Sequence, residues 1–428
     1  MSWYLLIPFA FLIAAFLIKM PIGWGMFAGC VTYFVVKGID LEVVMSTAGY
    51  GMYSSYILIA IPLFIFMANI MNSSEVSDKI FGFANALVGR FHGGMGYVNI
   101  VCSLIFAGMT GSALADASGV GKLEIEQMKK EGYDAPFAAA LTATTSVIGP
   151  TFPPSIPMVV FAMISGASVG KMFLGGVIPA FIQCIAIGIY VYIIAKKRNY
   201  PRGDQVTFKQ FCKNTLRALP ALLTPVILLV GIYTGVMTPT EAGAVAAAYT
   251  LLIAVVVYRT LTWEKFKKVI IDTLKTTGSI FLIVAAAYSF SYIISLEQVA
   301  PWMASLISGF NGSKPLFLLM VNVIFLILGC FVDVNVTQLV FVPIFIPLAK
   351  MLGVDMVHLG VVLCLNMMIG LCTPPFGMLL FISASAGKTP LKDVIRETLP
   401  MLAFMIAGLI LITFVPELVM WLPNMMKT

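Results

Sequence analysis

An all-α membrane protein built of two inverted halves is predicted by three observations. Apolar residues make up 60% of the 428-residue chain and charged residues only 11%, whereas a water-soluble domain needs about a quarter of its residues charged. The apolar residues gather into runs long enough to cross a hydrocarbon core of about 30 Å, which takes roughly 20 residues of helix. Two of these runs are interrupted by consecutive prolines, Pro153-Pro154 and Pro374-Pro375, 221 positions apart.

The runs come in chain order. Ten are full-length apolar segments: 3–18, 21–36, 54–71, 136–165, 173–195, 218–236, 240–258, 276–294, 358–386 and 399–421. Two further stretches, 94–130 and 315–350, are apolar but interrupted. The first segment is expected to be a retained span rather than a cleaved leader, because its first positive charge, Lys19, follows the apolar run. No long polar segment intervenes, so a single membrane domain is expected. The seven cysteines include no CxxC pair and there are only two histidines, His92 and His358. Neither a disulfide framework nor a metal site of that chemistry is expected.

The net charge of +7 reads as membrane topology rather than as a nucleic-acid surface. With the N-terminus outside, the cytoplasmic segments collect 21 of the 26 Lys and Arg residues, leaving only Lys37, Lys171, Lys314, Lys350 and Lys427 elsewhere. The opposite orientation would invert the usual positive-inside bias.

The two breaks belong to an internal repeat. At the 221-residue offset, Ile148-Gly149, Pro153-Pro154, Gly166, Lys171 and Pro179 match Ile369-Gly370, Pro374-Pro375, Gly387, Lys392 and Pro400, and upstream Gly108 matches Gly329. The matches fall on Gly and Pro, which dictate backbone shape. Five crossings per half give the second half opposite polarity, a plan that recurs in secondary transporters. The first half is 1–195, with an interrupted hairpin at 94–130 and a broken helix at 136–165. The basic segment 196–217, containing Tyr200-Pro201-Arg202-Gly203-Asp204, is the cytoplasmic linker. The second half is 218–428, with hairpin 315–350 and broken helix 358–386.

Paired prolines remove two N–H donors and clash with the preceding turn, so a helix must unwind at Gly149-Pro150-Thr151-Phe152-Pro153-Pro154 and again at Gly370-Leu371-Cys372-Thr373-Pro374-Pro375. Unwound backbone is tolerated at membrane depth only against protein or a polar cavity. Its carbonyls suit a hard cation, and the half-helix N-terminus beyond each break suits an anion. A plain proline kink is the alternative. The first interrupted stretch carries Gly108-Met109-Thr110-Gly111-Ser112-Ala113-Leu114-Ala115-Asp116, followed by Lys122, Glu124, Glu126, Lys129 and Lys130, which cannot cross. It reads as a re-entrant hairpin tipped near Thr110 to Ser112. The second carries Gly329 and Asp333-Val334-Asn335-Val336-Thr337-Gln338. Asp116 and Asp333 are intramembrane carboxylates, whose default reading is functional; a structural hydrogen bond to a tip or helix N-terminus is the alternative for each. Glu241, in Thr238-Pro239-Thr240-Glu241, reads as a helix cap, with partner docking as its second reading.

These strings together resemble the large membrane subunit of tripartite ATP-independent periplasmic (TRAP) transporters, most similar to the sialic-acid branch, over essentially the whole chain. The resemblance implies an elevator-type transporter with about ten transmembrane helices and two re-entrant hairpins in the bacterial inner membrane, not an enzyme. It implies Na+-coupled import of an organic acid, sialic acid favoured, with Na+ as coupling ion and no organic cofactor. Its partners would be a small four-helix membrane subunit on a separate chain, a soluble periplasmic binding protein and lipid. By resemblance, one Na+ site falls at Ser103, Gly108, Thr145 and Gly149, and a second at Gly329, Asp333, Gly370 and Cys372. Substrate would lie near Thr110, Ser112, Asp116, Pro154, Asn335 and Pro375. No Arg or Lys lies in these motifs, so helix N-termini and bound Na+ would hold its carboxylate.

Other classes are weighed against this. Two buried aspartates suit an intramembrane protease, but neither a Gly-x-Gly-Asp nor an HExxH string is present. A channel more commonly assembles single repeats about one axis. A stand-alone Na+/dicarboxylate transporter and a C4-dicarboxylate TRAP permease are the nearer alternatives.

Overall fold

The computed structural model describes residues 3–74, 76–203, 206–299, 301 and 313–426. Among these the secondary structure is helical throughout, apart from one isolated bridge between His92 and Arg202. The α-helices are α1 (Leu6–Leu17), α2 (Ile22–Lys37), α3 (Glu42–Tyr53), α4 (Ala60–Ser73), α5 (Val76–Val88), α6 (Gly94–Thr110), α7 (Ala113–Ser118), α8 (Val120–Lys130), α9 (Ala135–Thr145), α10 (Ile156–Ser165), α11 (Val169–Arg198), α12 (Phe208–Tyr233), α13 (Pro239–Leu252), α14 (Trp263–Leu296), α15 (Lys314–Phe331), α16 (Val334–Met351), α17 (Met356–Gly370), α18 (Met378–Gly387), α19 (Leu391–Phe414) and α20 (Glu417–Met425).

Eight described helices are long and apolar enough to cross a membrane, and nine if the bent pair across the first break counts as one span. The expectation of an all-α membrane protein therefore holds, but several segments differ from their sequence reading. The first two apolar segments form helices of only 15 and 16 residues, Trp3–Leu17 and Ile22–Lys37. They turn back on each other because Gly25 and Gly29 carry no side chain there. A Cβ on Gly25 would lie 2.3 Å from Ala15 Cβ, and one on Gly29 would lie 2.9 Å from Pro8 Cα. Helix α14 runs for 34 residues rather than the apolar stretch 276–294, about 51 Å at 1.5 Å per residue. Its first turns carry Glu264, Lys265, Lys267 and Lys268. Helices α3 and α5 were not foreseen: both are short and partly polar, and α5 buries Val76, Ile80 and Ala84 along one stripe.

The linker also differs. Helix α11 continues through Arg198 and α12 begins at Phe208, so only residues 199–207 lie between helices. Asp204 and Gln205 fall outside the described residues. At its start, Arg198 makes a two-pronged ion pair with Glu397 of the second half at 2.7 and 2.8 Å. Tyr200 stacks on Tyr133 with ring centroids 4.2 Å apart.

The core is centred on the broken helices. From Phe137 to Ser165 only Phe152, Met163 and Ile164 escape full burial, and all of Val357–Gly370 is buried. Alanines at 138, 139, 140 and 143 let neighbours approach closely, which is how helices pack when lipid offers no hydrophobic gain. The hairpins α6–α7 and α15–α16 lie against these helices. Each arm of the second hairpin is an unbroken 18 residues, longer than an interrupted stretch suggested. Its polar string occupies a tight turn at Val332-Asp333 and the first turn of α16.

Candidate functional site

The first hairpin tip is made by two residues. Gly111 ends α6 with φ +58°, a left-handed conformation that glycine adopts without Cβ strain. Ser112 then caps α7, its hydroxyl accepting from Ala115 N at 3.4 Å. The tip is seated on the first break, since a Cβ on Gly111 would lie 2.4 Å from the Pro154 carbonyl oxygen. That break is a 3-10 turn, Ser146–Thr151, followed by an extended pair of prolines joined in cis. Ser155 restarts the helix, accepting from Met158 N at 3.3 Å and donating to the Pro150 carbonyl.

Asp116 is buried behind this tip. The Thr110 hydroxyl donates to its Oδ1 at 2.5 Å. Its Oδ2 is buried without a hydrogen-bond partner and faces Gly149, where a Cβ would come within 2.6 Å of it. The sequence reading grouped Asp116 with the substrate residues. The structure places it against Gly149, the residue assigned to the first ion site, so this carboxylate sits with the ion residues. Of the other residues in that set, the Thr145 hydroxyl donates to Asn99 Oδ1 at 2.6 Å, and Asn99 Nδ2 donates to Thr142 Oγ1 at 2.8 Å. Ser103 is buried on the same helix, α6, one turn beyond Asn99. Gly108 instead meets the other half, where a Cβ would lie 2.7 Å from Pro225 Cβ.

At the second break, Gly329 and Gly370 touch directly. A Cβ on Gly370 would lie 2.7 Å from both Cα and the carbonyl carbon of Gly329. Their repeat equivalents, Gly108 and Gly149, have other neighbours, so the two halves use matching glycines differently. Asp333 caps α16, its Oδ1 accepting from Asn335 N at 2.9 Å, and remains half-buried. The Cys372 thiol donates to Ala143 O at 2.9 Å, which turns it toward the first half's broken helix and leaves backbone oxygens as its remaining contribution to a cation. The contact is reinforced nearby. Lys129 Nζ donates to Gly387 O at 3.2 Å, and a Cβ on Gly387 would lie 3.2 Å from Ala139 Cβ.

The two tips and two breaks converge on a cavity of about 540 Å³. Ser112 lines it from the first tip, Asp333 and Asn335 from the second, Pro150 and Ile156 from the first break, and Met368 and Leu371 from the second. The Oδ1 atom of Asn335 is buried with no hydrogen-bond partner. Of the expected substrate residues, Ser112 and Asn335 line this cavity. Thr110, Asp116 and Pro154 lie behind the tip, and Pro375 is exposed beyond the lining. Sequence reasoning also missed lining residues from distant segments, namely Lys19 from the α1–α2 link and Thr276 and Ser279 from α14. The hairpin and break motifs hold no Arg or Lys, but Lys19 from outside them lines the same cavity. Glu124, counted from sequence among charges at the membrane surface, is buried on the inner face of α8 with Oε1 unpartnered. No signal along the chain marked which face of that short helix points inward. Glu241 forms a reciprocal cap, its Oε2 accepting from Thr238 N at 2.8 Å while its own N donates to Thr238 Oγ1 at 3.3 Å.

The family model of the tripartite ATP-independent periplasmic transporter, DctM component, matches residues 9–418. The chain belongs to that family. A sialic acid TRAP transporter permease protein of Haemophilus influenzae is 38% identical, covering 96% of this chain and 66% of the longer relative. A sialic acid TRAP transporter large permease protein of Vibrio cholerae is 37% identical over 95% of both chains. A C4-dicarboxylate TRAP transporter large permease protein of Pseudomonas aeruginosa is 37% identical over 86% of both. The crystal structure of the Alcanivorax borkumensis YdaH transporter superposes with a TM-score of 0.59 over 88% of each chain at 13% identity, a likeness of fold. Membership makes this DctM-family chain a multi-pass transporter permease, and the cavity between its hairpin tips is the candidate transport site.

Proposed function

We propose that the chain is the large permease subunit of a TRAP transporter in the bacterial inner membrane, importing an organic acid with Na+. Sialic acid is the favoured substrate, because two relatives named for it are 37–38% identical over nearly all of this chain. The observation that carries the reading is the convergence of both tips and both breaks on one cavity. An anion there faces polar groups from Ser112, Asn335 and Lys19, and Na+ sits at the breaks. The first ion site uses Ser103, Thr145, Gly149 and Asp116; the second uses backbone oxygens around Gly370 and Cys372 with Asp333. A periplasmic binding protein delivers the acid, a small membrane subunit supports the permease, and the hairpins and breaks travel together as an elevator.

The test is uptake in proteoliposomes holding the permease with its partners. N-acetylneuraminate uptake is expected to require an inward Na+ gradient. Undiminished uptake in Na+-free buffer under a proton gradient would refute the coupling. The C4-dicarboxylate reading is favoured by the Pseudomonas relative, and succinate transport without N-acetylneuraminate transport would establish it instead.

A further inference from the structure

We propose that Lys19 is the cation that recognises the substrate's carboxylate, presented to the cavity by the short α1–α2 hairpin. The proposal rests on the reading above and deepens it. Sequence patterns gave no reason to connect Lys19 with residues near 112 and 335. The fold brings them to one cavity, in which, among the described residues, Lys19 is the only basic lining residue and Asp333 the only acidic one.

Three local features place Lys19 there. The link between α1 and α2 is closed tightly, with Met20 N donating to Ala15 O at 2.8 Å and Lys19 N donating to Phe16 O at 3.3 Å. Lys19 takes φ +58°, a conformation that glycine or asparagine adopts more readily. A lysine at a left-handed turn inside a binding cavity is a reason to look for chemistry in its side chain. The hairpin is held against α14, because a Cβ on Gly23 would lie 2.8 Å from Leu282 Cγ. Helix α14 supplies Thr276 and Ser279 to the same cavity. The cavity wall opposite the tips is therefore a built surface of α2 and α14, with Lys19 at its edge.

The electrostatics agree. Lys19 is exposed, and among the described residues no ion pair engages it. It has no protein partner to give up in meeting an anion, and it lines a cavity whose remaining lining is largely apolar, where a charge pair is screened less than in open water. Asp333, which caps α16 and lines the same cavity, is the carboxylate this reading gives to Na+, so Lys19 is left as the charge that meets the substrate's carboxylate.

The test removes the charge from each partner in turn. Full-length chain in lipid nanodiscs, saturated with Na+, is titrated with N-acetylneuraminate and with its methyl ester, which lacks the negative charge. The parent should prefer the acid by roughly tenfold or more, the range of a charge-assisted contact. Lys19→Met should lose most of that preference while binding the ester as the parent does, and Lys19→Arg should retain it. If Lys19→Met fails to insert, Lys19→Gln takes its place. If transport selects a C4 dicarboxylate, succinate and its dimethyl ester replace the two probes. Full discrimination between acid and ester in Lys19→Met, in a parent that transports the acid, would overturn the assignment and leave the proposed function standing. A parent that neither binds nor transports any organic acid would overturn both.

Discussion

Asp116→Asn separates an ion ligand from a structural hydrogen bond. In the parent, Thr110 satisfies Oδ1 at 2.5 Å, while Oδ2 is buried against Gly149 with no hydrogen-bond partner. A buried carboxylate left in that condition loses several kcal/mol of solvation, so a cation beside Gly149 has a large electrostatic role to fill. Na+ at about 100 times its Kd stabilises a folded protein by about 2.7 kcal/mol. Asparagine keeps the shape and still accepts from Thr110, but it removes the charge. Losing a charged ligand weakens a contact by about 1.5–3 kcal/mol. A hundredfold weaker Kd leaves a gain of only about 0.4 kcal/mol at the same Na+ concentration. The assay is thermal unfolding of purified protein in NaCl and in choline chloride at equal ionic strength. The parent should be markedly more stable in NaCl, and Asp116→Asn should lose about 2.3 kcal/mol of that gain, the first site's share, while keeping what the second site contributes, with stability in choline equal to the parent's or higher. A variant that retains the parent's full Na+-dependent gain would show that Asp116 serves the tip and not an ion.

Three further outcomes are expected. Gly370→Ala puts a methyl group 2.7 Å from Gly329 backbone atoms that cannot step aside, so unfolding measurements should show a loss of about 1–3 kcal/mol or more; unchanged stability would deny the close crossing. Asp333→Asn should insert normally but transport poorly, with a weaker apparent Na+ affinity. Because Asn and Asp cap helices about equally well, an unchanged Na+ curve at an unchanged maximal rate would reduce Asp333 to its cap of α16. A cysteine introduced at Gln205 should resist impermeant maleimide added outside intact cells, and labelling above the parent's background would reverse the orientation.

What the sequence disclosed and what it hid follow from the range of the signals. Proline pairs and strings of small polar residues act on their own backbone, so both breaks and both tips were legible from a few adjacent letters. Facing directions were not. Asp116 could be seen to be costly but not to lie against Gly149, and Glu124 sat in a charged string whose inner face only packing reveals. Asn99, which organises Thr142 and Thr145, lay inside an ordinary apolar run. Lys19 was invisible as a site residue because the tips and breaks it meets in the cavity, from Gly111 to Leu371, lie far along the chain. Helices α3 and α5 escaped because a window tuned to span-length apolar runs passes over short amphipathic ones. The repeat was legible as matched glycines. Its asymmetry, with Gly329 on Gly370 but Gly108 on Pro225, is set by neighbours that the offset does not record.

The bond from Cys372 to the Ala143 carbonyl has a mechanical consequence. It joins the second break to the helix that leads into the first, and Lys129 of α8 on Gly387 at the end of α18 ties the neighbouring segments of the two halves. The breaks descend from opposite halves of the chain, yet they are stitched into one block. Such a block is loaded as a whole or not at all. On the proposed Na+ coupling, an ion seated at one break would stiffen the wall of the other, so a half-filled carrier would meet resistance before it had moved. Leakage of one ion without its companion or its acid would be suppressed by the same stitches, without a separate gate to forbid it.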